Sequence, residues 1–442
     1  MHPLEKRVLL PEDLKPLDSL EEYKARGGLK GLEKARSLRP EEVIAEIKKS
    51  GLRGRGGAGF PAAIKWETVF KDPSPKKYVV CNAAEGEPGT YKDRYTFLFN
   101  QYQMIEGLLI IAYVISAQEA VIGTKKKFTP QVNRLQKAIE EFENAGIVPK
   151  GYIRLVLGPD DYLFGEEKAL LEVVDGRGAM PRMYPPYMVG VGFFSAADAN
   201  PTVVNNAETM AHVAHIMAKG AEWFRSMGTE DTPGTTTLTL SGDVKNPGMY
   251  EVETGITVRQ MLYDLGGGPV GDKPFMAIYS GVANRVLTPD LFDTKIDFGS
   301  MRAKGVGLGS GGFIVYDESH CIVDITYMLS KFLATSSCGQ CIPCNMGSRV
   351  ITEHLDKIRN GQGSLDDMDA ILSEAGRCTN QTRCFLPTQE SVLVSSTMAK
   401  FRKEFEAHVQ SGYSHPPKPL VLPKIESFDA QAGKFIYEPP KY

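Results

Sequence analysis

The chain has 442 residues, of which 42% are hydrophobic and 24% are charged, and its formal net charge is −3 at pH 7. That length allows two or three domains, and the composition is typical of a soluble globular protein. A charge so close to neutral gives no bulk attraction to nucleic acid. The most apolar stretch, residues 107–117, is too short to span a bilayer, so no membrane insertion is predicted. The N-terminus lacks the charged start and apolar run of a signal peptide, which indicates a cytoplasmic protein.

The first half of the chain alternates helical and strand-like patterns. Residues 1–39 are a charged N-terminal extension without a clear core pattern. Pro40 opens a helix that ends near Ser50, because proline is favourable at the first helical position. The alternation that follows predicts an α/β domain over residues 40–230, in which helices cover a largely parallel sheet. Its strands are predicted at 77–82, 119–123 and 152–158, and its helices at 103–117 and 132–145.

The patterns change after residues 228–234. Strand-like runs and one short helix predict a small ubiquitin-like β-grasp domain over 235–318. The chain then becomes helical, and four long segments predict a four-helix bundle over 320–412. The proline-rich tail, 413–442, is expected to wrap over another surface rather than pack a core. The bundle helices are predicted at 322–334, 345–360, 364–375 and 387–410.

Five of the seven cysteines are clustered between residues 338 and 384, and clustering in a reducing compartment indicates metal or redox chemistry. Cys338, Cys341 and Cys344 form C-x-x-C-x-x-C, so three thiolates can bind three irons of one [4Fe–4S] cubane, and the fourth iron needs a distant cysteine. Cys384 is the favoured fourth ligand and Cys378 is the alternative. Structural zinc is the competing interpretation, although zinc sites usually pair two C-x-x-C knuckles.

A glycine-rich stretch, residues 54–59, satisfies G-x-G-x-x-G. In a Rossmann fold this motif follows a strand and opens a helix, whereas here it follows a predicted helix. A Rossmann pyrophosphate loop is therefore not expected. The glycines still let backbone N–H groups approach a planar ring or a phosphate, and Arg53, Arg55 and Lys65 surround them with positive charge. A flexible surface hinge is the alternative interpretation.

Two acidic loops and an asparagine pair are further candidates. Glu85 and Glu87 follow a predicted strand at its carboxyl end, where open α/β sheets bind ligands. Glu166 and Glu167 precede a helix, whose N-terminal dipole favours carboxylates and could alone explain both. The Asn205–Asn206 pair could hydrogen-bond the pyrimidine edge of a flavin or cap the next helix.

Four other residues have side chains that could bind a metal or react, but they are predicted to serve packing. His212 and His215 have the spacing H-x-x-H, but no carboxylate is spaced with them, so helix packing is favoured over metal binding. Cys81 and Cys321 are isolated from the other cysteines and are predicted to be small buried hydrophobic residues.

Five segments together resemble the NADH-binding flavoprotein subunit of respiratory complex I and the related modules of NAD-linked hydrogenases, formate dehydrogenases and aldehyde oxidoreductases. They are GLRGRGGAGFP (51–61), CNAAEGEPGTYKDR (81–94), YLFGEEKALL (162–171), PTVVNNAET (201–209) and SCGQCIPC (337–344). The resemblance covers about residues 40–410. It implies a non-classical, Rossmann-like flavin domain of the α/β class, a β-grasp domain and a four-helix bundle that carries a [4Fe–4S] cluster.

The resemblance also implies which residues bind cofactors. Glu87 would contact the nicotinamide of NADH, Phe60 would line the adenine pocket, and Glu167 would accept the adenosine ribose hydroxyls. Glu85 is counted with the cofactor-binding residues of the same loop. The flavin is FMN by the family default, with FAD as the alternative. Its site would comprise Gly54, Arg55, Gly56, Gly57, Lys65, Asn82, Tyr162, Gly165, Glu166, Val204, Asn205 and Asn206.

Four features depart from the family pattern. Ala84 stands where an aspartate helps to hold the flavin, Thr68 where a second aromatic stacks on adenine, and Tyr184 where a lysine is usual. The segment 188–200 is longer than usual. The favoured function is an NAD(H)-dependent diaphorase subunit. The alternative is a relay subunit of a formate, hydrogen or aldehyde oxidoreductase complex with an altered dinucleotide site.

A partner is expected because one cluster motif cannot carry electrons far. The resemblance implies other iron–sulfur subunits of a multisubunit redox complex, for example a thioredoxin-like [2Fe–2S] subunit.

Overall fold

The computed structural model describes residues 2–192, 199–379, 383–411 and 420–439. The long segment 188–200 and the tail 413–442 are therefore described only in part. The helices are α1 (Leu20–Ala25), α2 (Lys30–Ser37), α3 (Pro40–Ser50), α4 (Ala62–Lys71), α5 (Lys92–Phe99), α6 (Tyr102–Ile115), α7 (Thr129–Asn144), α8 (Glu167–Val174), α9 (Ala207–Lys219), α10 (Ala221–Arg225), α11 (Val258–Gln260), α12 (Phe298–Ala303), α13 (Ile322–Ser336), α14 (Ile342–Arg359), α15 (Leu365–Arg377), α16 (Leu386–Lys400) and α17 (Arg402–Ser411). The strands are β1 (Tyr78–Ala83), β2 (Glu119–Lys125), β3 (Ile153–Gly158), β4 (Thr202–Asn206), β5 (Thr235–Gly242), β6 (Gly248–Glu253), β7 (Phe275–Ser280), β8 (Gly312–Asp317), β9 (Ile425–Asp429) and β10 (Lys434–Tyr437).

The first sheet has the order β3-β2-β1-β4, and every pair in it is parallel. This confirms the predicted α/β arrangement, including the helix that begins at Pro40. The strands β1 and β2 are apolar and buried along most of their length, as expected when helices cover both faces of a parallel sheet.

Helix α6 is the central helix of this region, and all but one of its residues are buried. Gly107 allows α6 to approach α9 closely, because a Cβ atom at this position would lie 1.8 Å from the Met210 carbonyl oxygen. A longer side chain would force the two helices apart. No single helix within the described ranges is long and apolar enough to cross a membrane, although α5 and α6 pass the same test as a pair bent by 103°.

The expectation that the N-terminal extension lacks a core pattern was wrong. Leu9, Leu20 and Leu32 are buried in the same core as α6. The buried carboxylate of Glu106 in α6 accepts hydrogen bonds from the backbone N–H groups of Leu29 and Leu32, each at 2.9 Å. The pattern was obscured because the apolar residues of this segment occupy two short helices rather than one long one.

The second sheet has the order β6-β5-β8-β7. Strand β5 pairs antiparallel with β6 and parallel with β8, and β8 pairs antiparallel with β7. The helical turn after residue 257 packs on one face, where Val258 and Leu262 join the sheet residues Leu238 and Phe313 in one core.

Helices α13 to α17 share another hydrophobic core. The sequence predicted one helix over 387–410, but two helices, α16 and α17, occupy this segment. They are separated by Phe401, which leaves helical geometry at φ −118° and ψ 30°. The buried Phe401 ring packs in the shared core, so packing of this side chain accompanies the break.

The described part of the tail returns to the first domain as a β9–β10 hairpin. Ile425 and Phe435 of the hairpin form a small core with Tyr91 and Met249. The Gly89 N–H donates a 2.6 Å hydrogen bond to the Pro423 carbonyl. The tail therefore covers part of the chain's own surface and adds a small apolar cluster that the sequence did not predict.

Candidate functional site

The site lies at the carboxyl ends of the central strands of the parallel sheet. Strands β1 and β4 are adjacent, with Asn82 in register with Asn206, and β2 lies on the opposite side of β1. After β1 the chain continues to β2 on one side of β1, and the later strand β4 pairs with β1 on the other side. Open α/β sheets bind ligands at this kind of switch point, and a cavity begins here.

The glycine loop connects α3 to α4 and passes over the end of β4. The Gly54 N–H donates to the Phe60 carbonyl at 2.9 Å, which closes the loop. A Cβ atom at Gly56 would lie 3.1 Å from the Asn206 Cβ, so the loop approaches the strand end more closely than most side chains allow. Gly57 has φ +122°, a conformation that favours glycine. Gly56 lines the cavity, and its backbone is open to a bound ring or phosphate.

The Arg55 side chain makes two of its hydrogen bonds to backbone carbonyls outside the glycine loop. Its guanidinium group is buried and donates to the backbone carbonyls of Arg53, Pro233 and Thr235. Burial lowers the pKa of this group to about 10. Arg55 therefore attaches the glycine loop to the start of β5. Its backbone N–H donates to the Thr209 hydroxyl at 2.9 Å, so both its guanidinium group and its N–H have partners within the chain.

The two glutamates after β1 have different partners. The Glu85 carboxylate accepts from the Asp93 N–H at 3.0 Å and from the Arg94 guanidinium at 2.7 Å. The Glu87 carboxylate accepts from the Tyr162 hydroxyl at 2.6 Å and from the Val282 N–H at 2.7 Å. Burial raises the pKa of Glu87, and these two hydrogen bonds oppose the shift. Both residues line the cavity, as does Tyr162.

Glu166 and Glu167 occupy the start of α8 but face different partners. Glu166 is the N-cap, and its side chain accepts from the N–H groups of Lys168 and Ala169. Burial raises its pKa to about 7. Glu167 instead forms a 2.7 Å ion pair with Lys65 of α4. Lys65 and Glu167, predicted to serve the flavin and the ribose respectively, are thus in direct contact.

The predicted asparagines and their neighbours hold the strand ends in place. The Asn82 amide donates to the Gly165 carbonyl at 2.7 Å. Asn206 caps α9 and donates to Asp93 at 2.6 Å. Asn205 is buried and accepts from the Trp66 indole. Asn82, Gly165 and Asn206 line the cavity, whereas Asn205 acts in packing. The neighbouring Val204 is buried in the core, and its carbonyl accepts from Lys65 at 3.4 Å.

Sequence reasoning missed a buried charged group at the cavity. The Lys92 ammonium pairs with Glu208 and lies 3.3 Å from Asp93. Burial would lower the pKa of Lys92, but the two carboxylates outweigh it and the pKa is raised. Burial raises the pKa of Asp93 to about 6. Lys92 and Asp93 line the cavity. The run Lys92–Arg94 did not indicate burial from the sequence, because adjacent charged residues are rarely buried unless they are paired.

Three cysteines lie where α13 ends and α14 begins. Cys341 is the N-cap of α14, and Cys344 is buried in its first turn. The Gln340 amide lies 3.4 Å from the Cys338 sulfur. Burial raises the pKa of Cys344, and the neighbouring Cys338 and Cys341 raise it further. These three thiols are a suitable donor set for iron, which binds thiolates, and the N-terminal dipole of α14 favours the resulting negative charge.

The two candidates for the fourth cysteine have different surroundings. Burial raises the pKa of Cys384 to about 12, with smaller contributions from Glu166 and from the motif cysteines Cys344 and Cys338. Burial also raises the pKa of Cys378 to about 12, with Cys344 as the motif cysteine that contributes. Cys384 also lines the cavity.

The residues expected near a dinucleotide lie on the surface. Phe60 is 46% exposed and Tyr184 is 52% exposed. Thr68 lies on the exposed face of α4 and donates to the Ile64 carbonyl. Aromatic rings with this exposure have free faces on which an adenine could stack.

The histidines pack in the core as predicted, but the expectation that no carboxylate is spaced with them was wrong: a Glu208 carboxylate oxygen, one helical turn before His212, lies 3.8 Å from the His212 Nε2 atom. The His212 ring is fully buried and contacts Phe224 with 5.4 Å between ring centroids. The His215 Nε2 atom lies 2.7 Å from the Gln103 side-chain oxygen. Cys81 is buried in the main core, as expected.

Three family models match the chain. Residues 47–215 match the Nuo51 FMN-binding domain, residues 324–408 match the NADH-ubiquinone oxidoreductase-F iron-sulfur binding region, and residues 237–274 match the SLBB domain.

Known proteins resemble the chain over most of its length. The NADH-quinone oxidoreductase F 2 subunit of Rhizobium meliloti is 37% identical over 88% of this chain and 94% of the relative. The NADP-reducing hydrogenase subunit HndC of Solidesulfovibrio fructosivorans is 34% identical over 89% of this chain and 81% of the relative. The crystal structure of an NAD+-reducing [NiFe]-hydrogenase superposes with a TM-score of 0.79 and 30% identity, covering 90% of this chain and 68% of that one. The chain therefore belongs to the FMN- and [4Fe–4S]-binding family of NADH-quinone oxidoreductase F subunits.

Proposed function

We propose that this chain is a diaphorase subunit that exchanges hydride between NAD(H) and a bound FMN and passes single electrons to a [4Fe–4S] cluster. The observation that carries the proposal is that the predicted flavin residues and a predicted cluster cysteine line one cavity. Gly56, Asn82 and Asn206 line it together with Cys384 and Phe385. A flavin in this cavity would therefore have a cluster cysteine as its neighbour.

The residues present fit a flavin. Gly56 and Gly165 leave room where a side chain would crowd Asn206 or the Ala84 carbonyl, at 3.1 and 3.2 Å from an added Cβ. When bound, FMN accepts a hydride and releases its two electrons one at a time. The protein needs no general acid or base for that transfer, and its task is to orient the two rings. Glu87, held by Tyr162, would position the nicotinamide.

The proposed cluster ligands are Cys338, Cys341, Cys344 and Cys384. The position of Cys384 on the cavity, next to the predicted flavin residues, supports it over Cys378. A cluster bound there would lie at the end of α13, beside Tyr162, whose ring packs against Phe332 with centroids 5.1 Å apart.

We also propose a β-grasp domain and a four-helix bundle for the second half of the chain. The mixed sheet β6-β5-β8-β7 with a helical turn on one face fits a β-grasp domain over residues 235–318. Helices α13 to α16, with the short α17 added, fit a four-helix bundle over residues 320–412.

The proposed partners are iron–sulfur subunits of a larger redox complex, for example a thioredoxin-like [2Fe–2S] subunit. The similar proteins are named as subunits of an NADH-quinone oxidoreductase and of a hydrogenase, which supports a multisubunit assembly. The electron partner itself is to be identified by copurification and sequencing of the bound chains.

The test is anaerobic addition of NADH to the purified holoprotein. We expect loss of the visible flavin absorbance, followed by reduction of the cluster. A matched variant, Cys384→Ser, separates the two steps, because it should still lose the flavin absorbance while cluster reduction disappears. A holoprotein that contains flavin but keeps its absorbance with NADH would contradict the proposal.

A relay subunit with an altered dinucleotide site is the second candidate. The Lys65–Glu167 ion pair favours it, because the carboxylate expected to accept the ribose hydroxyls already has a cationic partner at 2.7 Å. For this candidate, NADH leaves the flavin oxidised and a reduced partner complex reduces it.

A further inference from the structure

A second cavity, of about 470 Å³, lies far from the flavin loops. It is enclosed by the end of the second sheet, the start of α13 and the junction of α16 with α17, and Cys321 and His408 line it together. Its volume is within the range of small-molecule sites, roughly 300–1,000 Å³. The cluster cysteines follow the opposite end of α13, whose 15 residues span about 22 Å.

Cys321 and His408 form a direct pair. The Cys321 sulfur lies 3.3 Å from the His408 Nε2 atom, and both side chains are buried. The other ring nitrogen, Nδ1, lies 2.8 Å from the Glu404 carbonyl oxygen. A carbonyl only accepts, so Nδ1 carries the proton and donates. In the neutral ring Nε2 then has a lone pair that faces the thiol.

The N-terminus of α13 also affects the ionisation of the Cys321 thiol. Cys321 is the N-cap of this helix. Burial raises the pKa of the Cys321 thiol and the Asp324 carboxylate raises it further, while the N–H groups of Val323 and Asp324 oppose the shift. The dipole of a helix N-terminus stabilises a thiolate once it forms. The thiol therefore has a base for its proton and lies at a helix end that favours its charge.

We propose that Cys321, with His408 as general base, is a reactive thiol site that undergoes exchange with small disulfides. The Cys321 thiol passes its proton to His408 Nε2, and the sulfur bonds to one sulfur of the disulfide. The disulfide bond breaks, and its other half leaves as a thiolate that takes the proton back from His408. Cys321 is oxidised to a mixed disulfide, and the leaving half is reduced to a thiol.

The charges around the cavity select among disulfides. Its lining includes the acidic residues Asp290, Glu318 and Glu404 and the basic residue Lys400. Lys400 pairs with Asp290 at 3.0 Å, so the remaining lining charge is negative. A cationic disulfide such as cystamine is therefore attracted, and an anionic one such as oxidised glutathione is repelled.

The groups that face the pair determine its pH dependence. His320 and Asp324 flank Cys321 on α13 and the loop before it, and Asp324 is held by Arg359 of α14 at 3.0 Å. The other charged residues that line the cavity are Asp290, Glu318, Lys400 and Glu404. The reaction requires the neutral His408 ring, because this ring accepts the proton from the thiol.

The experiment is anaerobic incubation of the holoprotein with cystamine, followed by peptide mass mapping. We expect a mixed disulfide on Cys321 that dithiothreitol removes, formed about tenfold faster than with oxidised glutathione. Cys321→Ser is the control that identifies the peptide. His408→Gln should slow the reaction about 100-fold, in the range of general-base catalysis. A folded holoprotein without an adduct at Cys321, an equal rate in His408→Gln, or equal rates for the two disulfides would overturn the proposal.

The pH profile of the unmodified chain keeps the test decisive even where His408→Gln does not fold. With His408 as base, the rate should change by less than about threefold between pH 7.5 and 9, because the imidazole rather than the solvent removes the thiol proton. A buried thiol without a base would react about tenfold faster for each pH unit over the same range. That steep rise would exclude the histidine's role.

Discussion

The cavity borders two regions that differ in how their polar groups are held. In the first, called the sheet wall, Asn82, Glu87 and Asn206 line the cavity and each has hydrogen-bond partners within the chain. In the second, called the cysteine wall, Cys384 lines the cavity and the cysteine motif of residues 338–344 lies near it; the pKa values of the buried thiols Cys344 and Cys384 are raised. We therefore expect the sheet wall to be arranged by the fold itself and the cysteine wall to form thiolates only with the positive charge of iron.

The largest expected effect is on the cysteine wall. Cys384→Ser should abolish the [4Fe–4S] cluster, whereas Cys378→Ser should retain about four irons per chain, because one missing thiolate leaves one iron without its protein ligand. Iron and labile sulfide assays, with the visible absorbance, measure the difference. Cluster loss in Cys378→Ser and retention in Cys384→Ser would exchange the roles of the two residues.

The sheet wall depends on its buried charges. Lys92→Met should destabilise the flavin domain by about 3–5 kcal/mol, because Glu208 and Asp93 lose their cation in a buried site. A urea titration followed by flavin fluorescence measures the change. Lys71→Met is the matched control, because its ion pair with Glu67 is exposed and its loss should leave the midpoint unchanged. Equal midpoints for both variants would mean that the buried pair is not structural.

Removal of iron tests the difference between the walls directly. Chelation of the cluster should accelerate amide hydrogen exchange about tenfold or more in residues 338–346, because metal binding and local folding are coupled. Exchange in β1, residues 78–83, should stay unchanged. Mass-detected exchange of holoprotein and chelated protein compares the two segments, and equal acceleration in both would show that the walls are one cooperative unit.

The smallest effect concerns pH and the helices behind the sheet wall. Burial lowers the pKa of His215 from 6.5 to about 3, so between these values the unfolded chain binds a proton that the folded chain does not. Its stability contribution is complete above pH 6.5 and is lost as the pH falls. His215→Gln should reduce the pH slope of stability by up to about 1.4 kcal/mol per pH unit. Parallel curves for the two proteins, measured from pH 7 to 5, would contradict this.

Three strands of the parallel sheet, their order along the chain and the helix at Pro40 were predictable because each follows from local patterning, whereas the fourth strand, β4, was not predicted. The same holds for the cysteine tripod, whose spacing is itself the chemical signal. The N-terminal segment was misjudged, since its leucines are buried through contacts with α6 that are distant in sequence. The break at Phe401 was missed because the helical pattern continues across it.

The sequence by itself determined the chemistry of the molecule: a glycine loop, acidic strand ends and a three-cysteine motif in a fixed order. Only the tertiary structure decided which of these residues meet. It turned Arg55 towards β5, joined Lys65 to Glu167 and brought Cys384 to the cavity that Gly56, Asn82 and Asn206 also line. It also paired Cys321 with His408. The reason is physical: spacing along the chain governs local geometry, whereas contacts between distant segments depend on how complete helices and sheets pack.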